Sequence, residues 1–257
     1  MIGRAGRVWT CAALLVVLGG AAVAQQFEEP ERADPKNNIP YDGRFVFARI
    51  KYQSEPRGWD QFGRPDIKWD HDYPSGEQNF TRILRELTTL RPYTERSNIF
   101  TLDDPELHKY PLAYMAEPGF WTLNDREAAG LRAYLQKGGF IIFDDFAGGY
   151  QWSNFVTQLR RVLPEARLVE LEGSHPIFDS FYRIDALQFV TPFRGMLPMY
   201  YGVYENNDPS RRLLLIANFN NDISEYWEFS ATGRYPVALS NEAYKLGINY
   251  VVYGMTR

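Results

Sequence analysis

Apolar residues fall along this chain in two patterns: short unbroken runs, and longer stretches where they return every three to four positions. Residues 45–52 (FVFARIKY) are apolar and then alternate, as expected of a strand entering the centre of a sheet. Residues 76–90 put Phe80, Ile83, Leu84, Leu87 and Leu90 on one face, with Ser75 as N-cap and a stop before Pro92, which predicts an amphipathic helix. Residues 98–102 read as a short edge strand and 111–115 as a buried one. A second helix spans 122–137, opening on a Thr-Leu-Asn-Asp cap, carrying Ala128, Leu131, Tyr134 and Leu135 inward and halting at Gly138-Gly139.

Residues 140–143 (FIIF) are apolar on both faces, the mark of a central parallel strand. A helix over 152–163 follows, then a strand over 167–171, and a further central strand over 213–217 that ends at Asn218. A last helix is centred on 242–247, and residues 250–253 either extend it or form a final strand. No internal repeat is visible. Strands alternating with helices predict an α/β fold, a doubly wound and mostly parallel sheet.

The amino-terminal pattern is different. Arg4 and Arg7 precede a mostly apolar run over 8–23, and Ala22-Val23-Ala24 offers small residues where a signal peptidase cleaves, so residues 1–24 read as a signal peptide. The rival, an uncleaved anchor, fits less well because the run is shorter than the ~20 residues a spanning helix needs and contains Gly19 and Gly20. Residues 25–43 are polar, Pro-bearing and aperiodic, a flexible arm before one domain over 44–257. The expected location is periplasmic or secreted, with no membrane span after cleavage.

Composition removes several function classes. Cys11, inside the apolar run, is the only cysteine, so the mature chain has no thiolate nucleophile, Cys-ligated zinc or iron–sulfur cluster. Without Arg4 and Arg7 the chain holds 26 basic against 32 acidic residues, a net charge of −6, which argues against nucleic-acid binding. No Gly-x-Ser-x-Gly, His-Glu-x-x-His, P-loop or Gly-x-Gly-x-x-Gly motif occurs, and no cofactor is expected.

Candidate chemistry is sited by a rule: in an open α/β sheet, ligands bind beyond the carboxyl ends of the strands. Asp144 and Asp145 follow the 140–143 strand and could bind a cation, act as an acid–base pair or cap a helix. His175, before Pro176, is a general base, a metal ligand, or a residue that simply hydrogen-bonds a backbone carbonyl. The loop over 53–75 carries Trp59, Asp60, Asp70, His71 and Asp72; Asp-His-Asp alone is a weak metal signal, better read as solvated loop charge, and no metal is assigned. Asp144, Asp145 and His175 are the catalytic candidates. Trp59, Asp60, Asp70, His71, Glu117 and Asn218 are the ligand-binding ones.

Residues 47–52, 102–107 with Tyr110-Pro111, 131–135 into Gly138-Gly139-Phe140, Asp144-Asp145, His175-Pro176-Ile177, and 246–249 with Tyr253 together resemble the domain-of-unknown-function 4159 family. These are exported bacterial proteins placed in the class I glutamine amidotransferase-like superfamily. The resemblance implies a flavodoxin-like three-layer sandwich. It does not imply glutaminase activity, because the superfamily's nucleophilic cysteine would stand where this chain has Asp144-Asp145-Phe146. Where the family leads one to expect a Gly-His-Gly-like turn, this chain has Glu117-Pro118-Gly119.

Three functions follow as expectations. The first is an exported binding or assembly domain that keeps the cleft without the nucleophile, its ligand a small molecule or sugar. The second is a metal- or carboxylate-dependent hydrolase of envelope sugar or peptide material. The third is a structural partner in an envelope or membrane complex, docking through the 25–43 arm. They are separated by whether Asp145, His175 and Asp70 share one cleft.

Overall fold

A computed structural model describes residues 37–54, 66–184, 187 and 195–257. The elements are β1 (Ala48–Ile50), α1 (Ser75–Leu87), β2 (Asn98–Phe100), β3 (Leu112–Ala116), α2 (Asp125–Gln136), β4 (Phe140–Phe146), α3 (Gly148–Val162), β5 (Val169–Glu170), β6 (Met199–Tyr204), β7 (Leu213–Phe219), α4 (Ile223–Glu228) and α5 (Val237–Thr256). They build one seven-stranded sheet in the order β2-β1-β3-β4-β7-β6-β5.

The first five strands of that order are parallel, β6 runs against them, and the marginal β5 pairs antiparallel with β6 and so runs with the five. The 140–143 strand is central, between β3 and β7 and parallel to both. Its seven residues are all buried, as a strand covered on both faces requires.

Successive strand residues point to opposite faces, so each central strand feeds two cores. Ala113, Met115, Ile141 and Phe143 meet Leu131 and Leu135 of α2 and Phe155 and Leu159 of α3. Tyr114, Phe140, Ile142 and Ile216 meet Phe80 and Leu84 of α1, Trp227 of α4 and Leu246 and Tyr250 of α5. The result is three layers, helix–sheet–helix, compatible with a flavodoxin-like sandwich. Each buried Leu or Phe side chain contributes roughly 1.5–3 kcal/mol from apolar area alone.

Several elements differ from the sequence expectation. Ser75 is the first residue of α1 rather than its cap; Pro74 holds the cap position and makes no side-chain bond. The helix cap at Asn124 is a full capping box with Glu127. Residues 250–253 belong to α5, which begins at Val237. Two elements were not expected. Strand β6 is an aromatic-rich run interrupted by Gly202, where a Cβ would come within 2.6 Å of Leu213 Cδ1. Helix α4 is only six residues long, yet Asp222 with Glu225 three positions on is a readable start signal. No helix among the described residues is long and apolar enough to cross a membrane.

Strand order reverses between β1 and β3: from β1 the chain goes to β2 on one side, then returns to β3 on the other. The carboxyl ends of β1 and β3 therefore flank the crevice where α/β sheets bind ligands.

Candidate functional site

Three segments meet at that crevice. Beyond β1, the segment from Asp66 makes a 3-10 turn at Lys68–Asp70 before His71 and Asp72. The chain leaving β3 turns sharply at Glu117, with φ +46°, into a 3-10 turn at Pro118–Phe120. Strand β4 carries Asp145 at φ +59°, inside a register shift against β7 between Phe143 and Phe146. Left-handed backbone at non-glycine residues is uncommon and concentrates at functional sites. Asp72, at φ +63°, shares it.

His71 is the hub. Its Nε2 lies 2.7 Å from Asp66 Oδ1, and its Nδ1 lies 3.1 Å from Glu117 Oε1 and 4.0 Å from Asp145 Oδ2. Burial works against the charged ring, but the Glu117 and Asp66 carboxylates outweigh it and raise its pKa to about 9. Lys68 Nζ pairs with Asp66 Oδ2 at 2.5 Å and stands 3.2 Å from Glu117 Oε2. That Oε2 is buried, with the Lys68 ammonium beside it as its partner. Tyr52 closes the floor by donating to the backbone carbonyls of Ala116 and Glu117 at 2.9 and 2.7 Å.

Arg49 of β1 sets the loop that carries His71. Its guanidinium pairs with Glu77 of α1, both almost wholly buried, and its Nη1 donates to the carbonyls of Trp69 and His71 at 2.9 Å each.

A second group of acids adjoins the first. Ligand-type oxygens of Asp72, Asp145 and Asp222 all lie within 4.8 Å of one another, as do those of Asp72, Glu225 and Glu228. Asp222 is pushed well above the ordinary carboxylate range by burial and then by Asp145 and Asp144. Asp72 is pushed the same way by burial and then by Asp222. Asp222 also caps α4, accepting from Glu225 N at 3.0 Å.

The sequence candidates separate under this geometry. Asp145, His71 and Glu117 converge. Asp70 stands at the end of the 3-10 turn, where its carbonyl accepts from Tyr73 N at 3.1 Å and its charge is felt by Tyr52. Trp59 and Asp60 lie outside the described residues. Asp144 is turned inward, onto groups of the fold itself. It is fully buried and accepts from Tyr114 Oη, Asn218 Nδ2 and the backbone N–H groups of Ile223 and Ser224 at 2.8–3.2 Å, anchoring the start of α4. Asn218 is likewise internal, held between Asp144 and Tyr250 Oη at 2.9 Å each.

His175 is not part of this cleft. Its ring packs on Tyr204 and Tyr253, and Tyr204 pairs with Leu213 at the opposite end of β7 from Phe219, which pairs with Phe146. The length of β7, about 20 Å at ~3.3 Å per residue, separates the two places. His175 instead uses Nδ1 to accept from Ile177 N at 3.2 Å, capping a 3-10 turn. Burial lowers its pKa. Sequence reasoning missed Asp66, Lys68 and Asp222; among these only Asp222 had a signal, the helix start at Asp222-Ile223-Ser224-Glu225.

A family model described as domain of unknown function (DUF4159) matches residues 46–255. The chain belongs to the DUF4159 family. The match takes in every strand, every helix up to the last residue of α5, and all of the cleft residues. No curated protein matches the chain. The chemistry of this DUF4159 protein is therefore argued from its own side chains.

Proposed function

We propose that this DUF4159 protein is an exported ligand-binding domain of amidotransferase-like build, without glutaminase activity, whose cleft takes a donor-rich envelope molecule such as a sugar or an amino-bearing peptide fragment. The observation that carries this reading is the convergence of His71, Glu117 and Asp145 at the carboxyl ends of β1, β3 and β4. Carboxylates accept hydrogen bonds, so a cleft rich in them suits hydroxyl or ammonium groups. The amidotransferase-like part of the reading is supported by Asp145, which stands at φ +59° at the carboxyl end of the central strand, just before α3, near where that scaffold makes its nucleophile turn. Export is supported by the arginine, apolar and Ala-x-Ala pattern of residues 1–24.

A thermal-shift screen of the purified protein against envelope sugars, amino sugars and short peptides, in the presence of EDTA, tests this. A compound that raises the melting temperature of the native protein and not of Asp145→Asn supports the cleft. A compound that stabilises both variants equally places binding elsewhere and defeats the reading.

A second reading, hydrolysis of the same class of material, is favoured by His71 Nδ1 standing 4.0 Å from the Asp145 carboxylate. Asp145 would serve as base or nucleophile, without His175. Turnover of envelope fragments that disappears in Asp145→Asn but persists in His175→Asn would select it over simple binding.

A further inference from the structure

We propose that His71, Glu117 and Asp145 form a binding site for one divalent cation of the zinc or manganese class. This rests on the cleft of the preceding reading and gives it a metal centre.

His71 Nδ1 and one oxygen each from Glu117 and Asp145 lie within 4.8 Å of one another. Three ligands on a metal with bonds of about 2.0–2.2 Å stand roughly 3.3–3.6 Å apart at tetrahedral angles, so a small contraction completes the shell. An imidazole with two carboxylates suits zinc or manganese better than calcium or magnesium, which prefer oxygen alone. The three ligands come from three different segments: the loop before α1, the turn after β3, and β4 itself. Such a set is fixed by the whole fold and not by one flexible stretch.

Asp66 Oδ1 accepts from His71 Nε2 at 2.7 Å, which turns Nδ1 towards Glu117 and Asp145. A carboxylate behind the far nitrogen of a histidine is the usual outer partner of a metal-bound imidazole. Arg49 adds a backbone restraint by holding the His71 carbonyl. Glu117 divides its two oxygens: Oε2 pairs with Lys68 Nζ at 3.2 Å, while Oε1 stands 3.1 Å from His71 Nδ1, so the Lys68 pair leaves one oxygen on the cation side.

The test is calorimetric titration of chelator-stripped protein with zinc, manganese or calcium chloride, each alone. Zinc or manganese is expected to bind at one site per chain. Affinity should drop at least tenfold in His71→Asn, Glu117→Gln and Asp145→Asn, and about ten- to a hundredfold in Asp66→Asn, which leaves every ligand in place. His175→Asn should bind as the native protein does. Circular dichroism and melting of each variant show that it folds. If a ligand variant does not fold, cobalt(II) absorption of the native protein, compared with Asp66→Asn, reads the imidazole ligand directly.

Absence of zinc and manganese binding overturns the proposal, as does binding that survives His71→Asn. Calcium binding that depends on Asp72 and Asp222 but not on His71 overturns it as well, in favour of an all-oxygen site. An envelope compound that binds in excess EDTA while no metal binds leaves the ligand-binding reading standing and removes only the metal. Metal binding with no response to any envelope compound does the reverse.

Discussion

Nη1 of Arg49 donates to the carbonyl oxygen of His71 at 2.9 Å, so the position of the cleft's only imidazole is set from inside the sheet. Arg49 lies on β1 and is 1% exposed, and Glu77 of α1 neutralises it at 2% exposure. A buried pair of this kind adds little net stability but is expensive to break on one side. Arg49→Met is expected to destabilise the fold by about 3–5 kcal/mol, by leaving Glu77 buried and unpaired. The double variant Arg49→Met, Glu77→Leu should recover much of that loss in urea melts. It should not recover ligand affinity, because the loop bearing His71 has lost its anchor.

Asp222 and Asp72 carry pKa values raised by burial and by neighbouring acids. Their folded pKa values exceed the unfolded ones, so the folded state binds more protons in that window and stability from these groups falls as pH rises through the folded values. Asp222→Asn keeps an oxygen for the Glu225 N–H while deleting the charge. It is expected to raise stability at pH 7.5 and to lose that advantage towards pH 4, near the ordinary carboxylate pKa. Urea midpoints across this range check the sign. An equal gain at both ends would show that charge is not the cause.

Asp144 accepts from four donors in a fully buried setting. Asp144→Ala strands them and is expected to cost at least about 3 kcal/mol, since bonds to a charged acceptor are worth ~1.5–3 kcal/mol each. The loss should appear in the hydrogen exchange of α4, whose first amides it holds. Retention of native exchange rates at Ile223 and Ser224 would contradict the anchoring role.

His175 has a pKa depressed by burial, so the stability that depends on its neutral form is present above the unfolded value near 6.5 and is lost as pH falls below it. His175→Asn should flatten the loss of stability between pH 6.5 and 5 without touching ligand or metal binding. Thermal melts over that interval provide the measurement.

Gly130 packs α2 against the loop after β2, where a Cβ would fall 2.1 Å from Leu102 O. Gly130→Ala removes a helix-weakening glycine, worth about 1 kcal/mol in isolation, but forces the backbone apart. A net destabilisation of about 1–3 kcal/mol in urea melts is expected. A gain in stability would show that the loop yields.

Periodicity carried most of the scaffold. The run at 140–143 is apolar on both sides, and a strand covered by helices above and below has no other composition open to it, so its centrality was legible in four residues. The α2 helix was legible for the same local reason: Asn124 and Glu127 form their capping bonds within one turn, and Gly138, at φ +112°, ends the element. Strand β6 escaped because its burial depends on pairing with β7 and β5, which no window of adjacent residues contains.

The cleft divides along the same line. Asp145 was marked by its place after a central strand, since strand ends gather ligands whatever the neighbours. Its neighbour Asp144 bears the same side chain, yet the strand's alternation turns it inward onto Tyr114 and Asn218, while the left-handed residue at 145 sits beside His71 and Glu117. His175 looked equally reactive on paper, and only its packing on Tyr204 and Tyr253, residues far away in the chain, shows that it sits at the far end of the sheet. Residue type and spacing state which elements form, because those choices are made by local hydrogen bonds and by which side is apolar. Which charged groups come within a few ångströms of each other is set by strand order and register, contacts between residues far apart in the chain that only the folded sheet brings together.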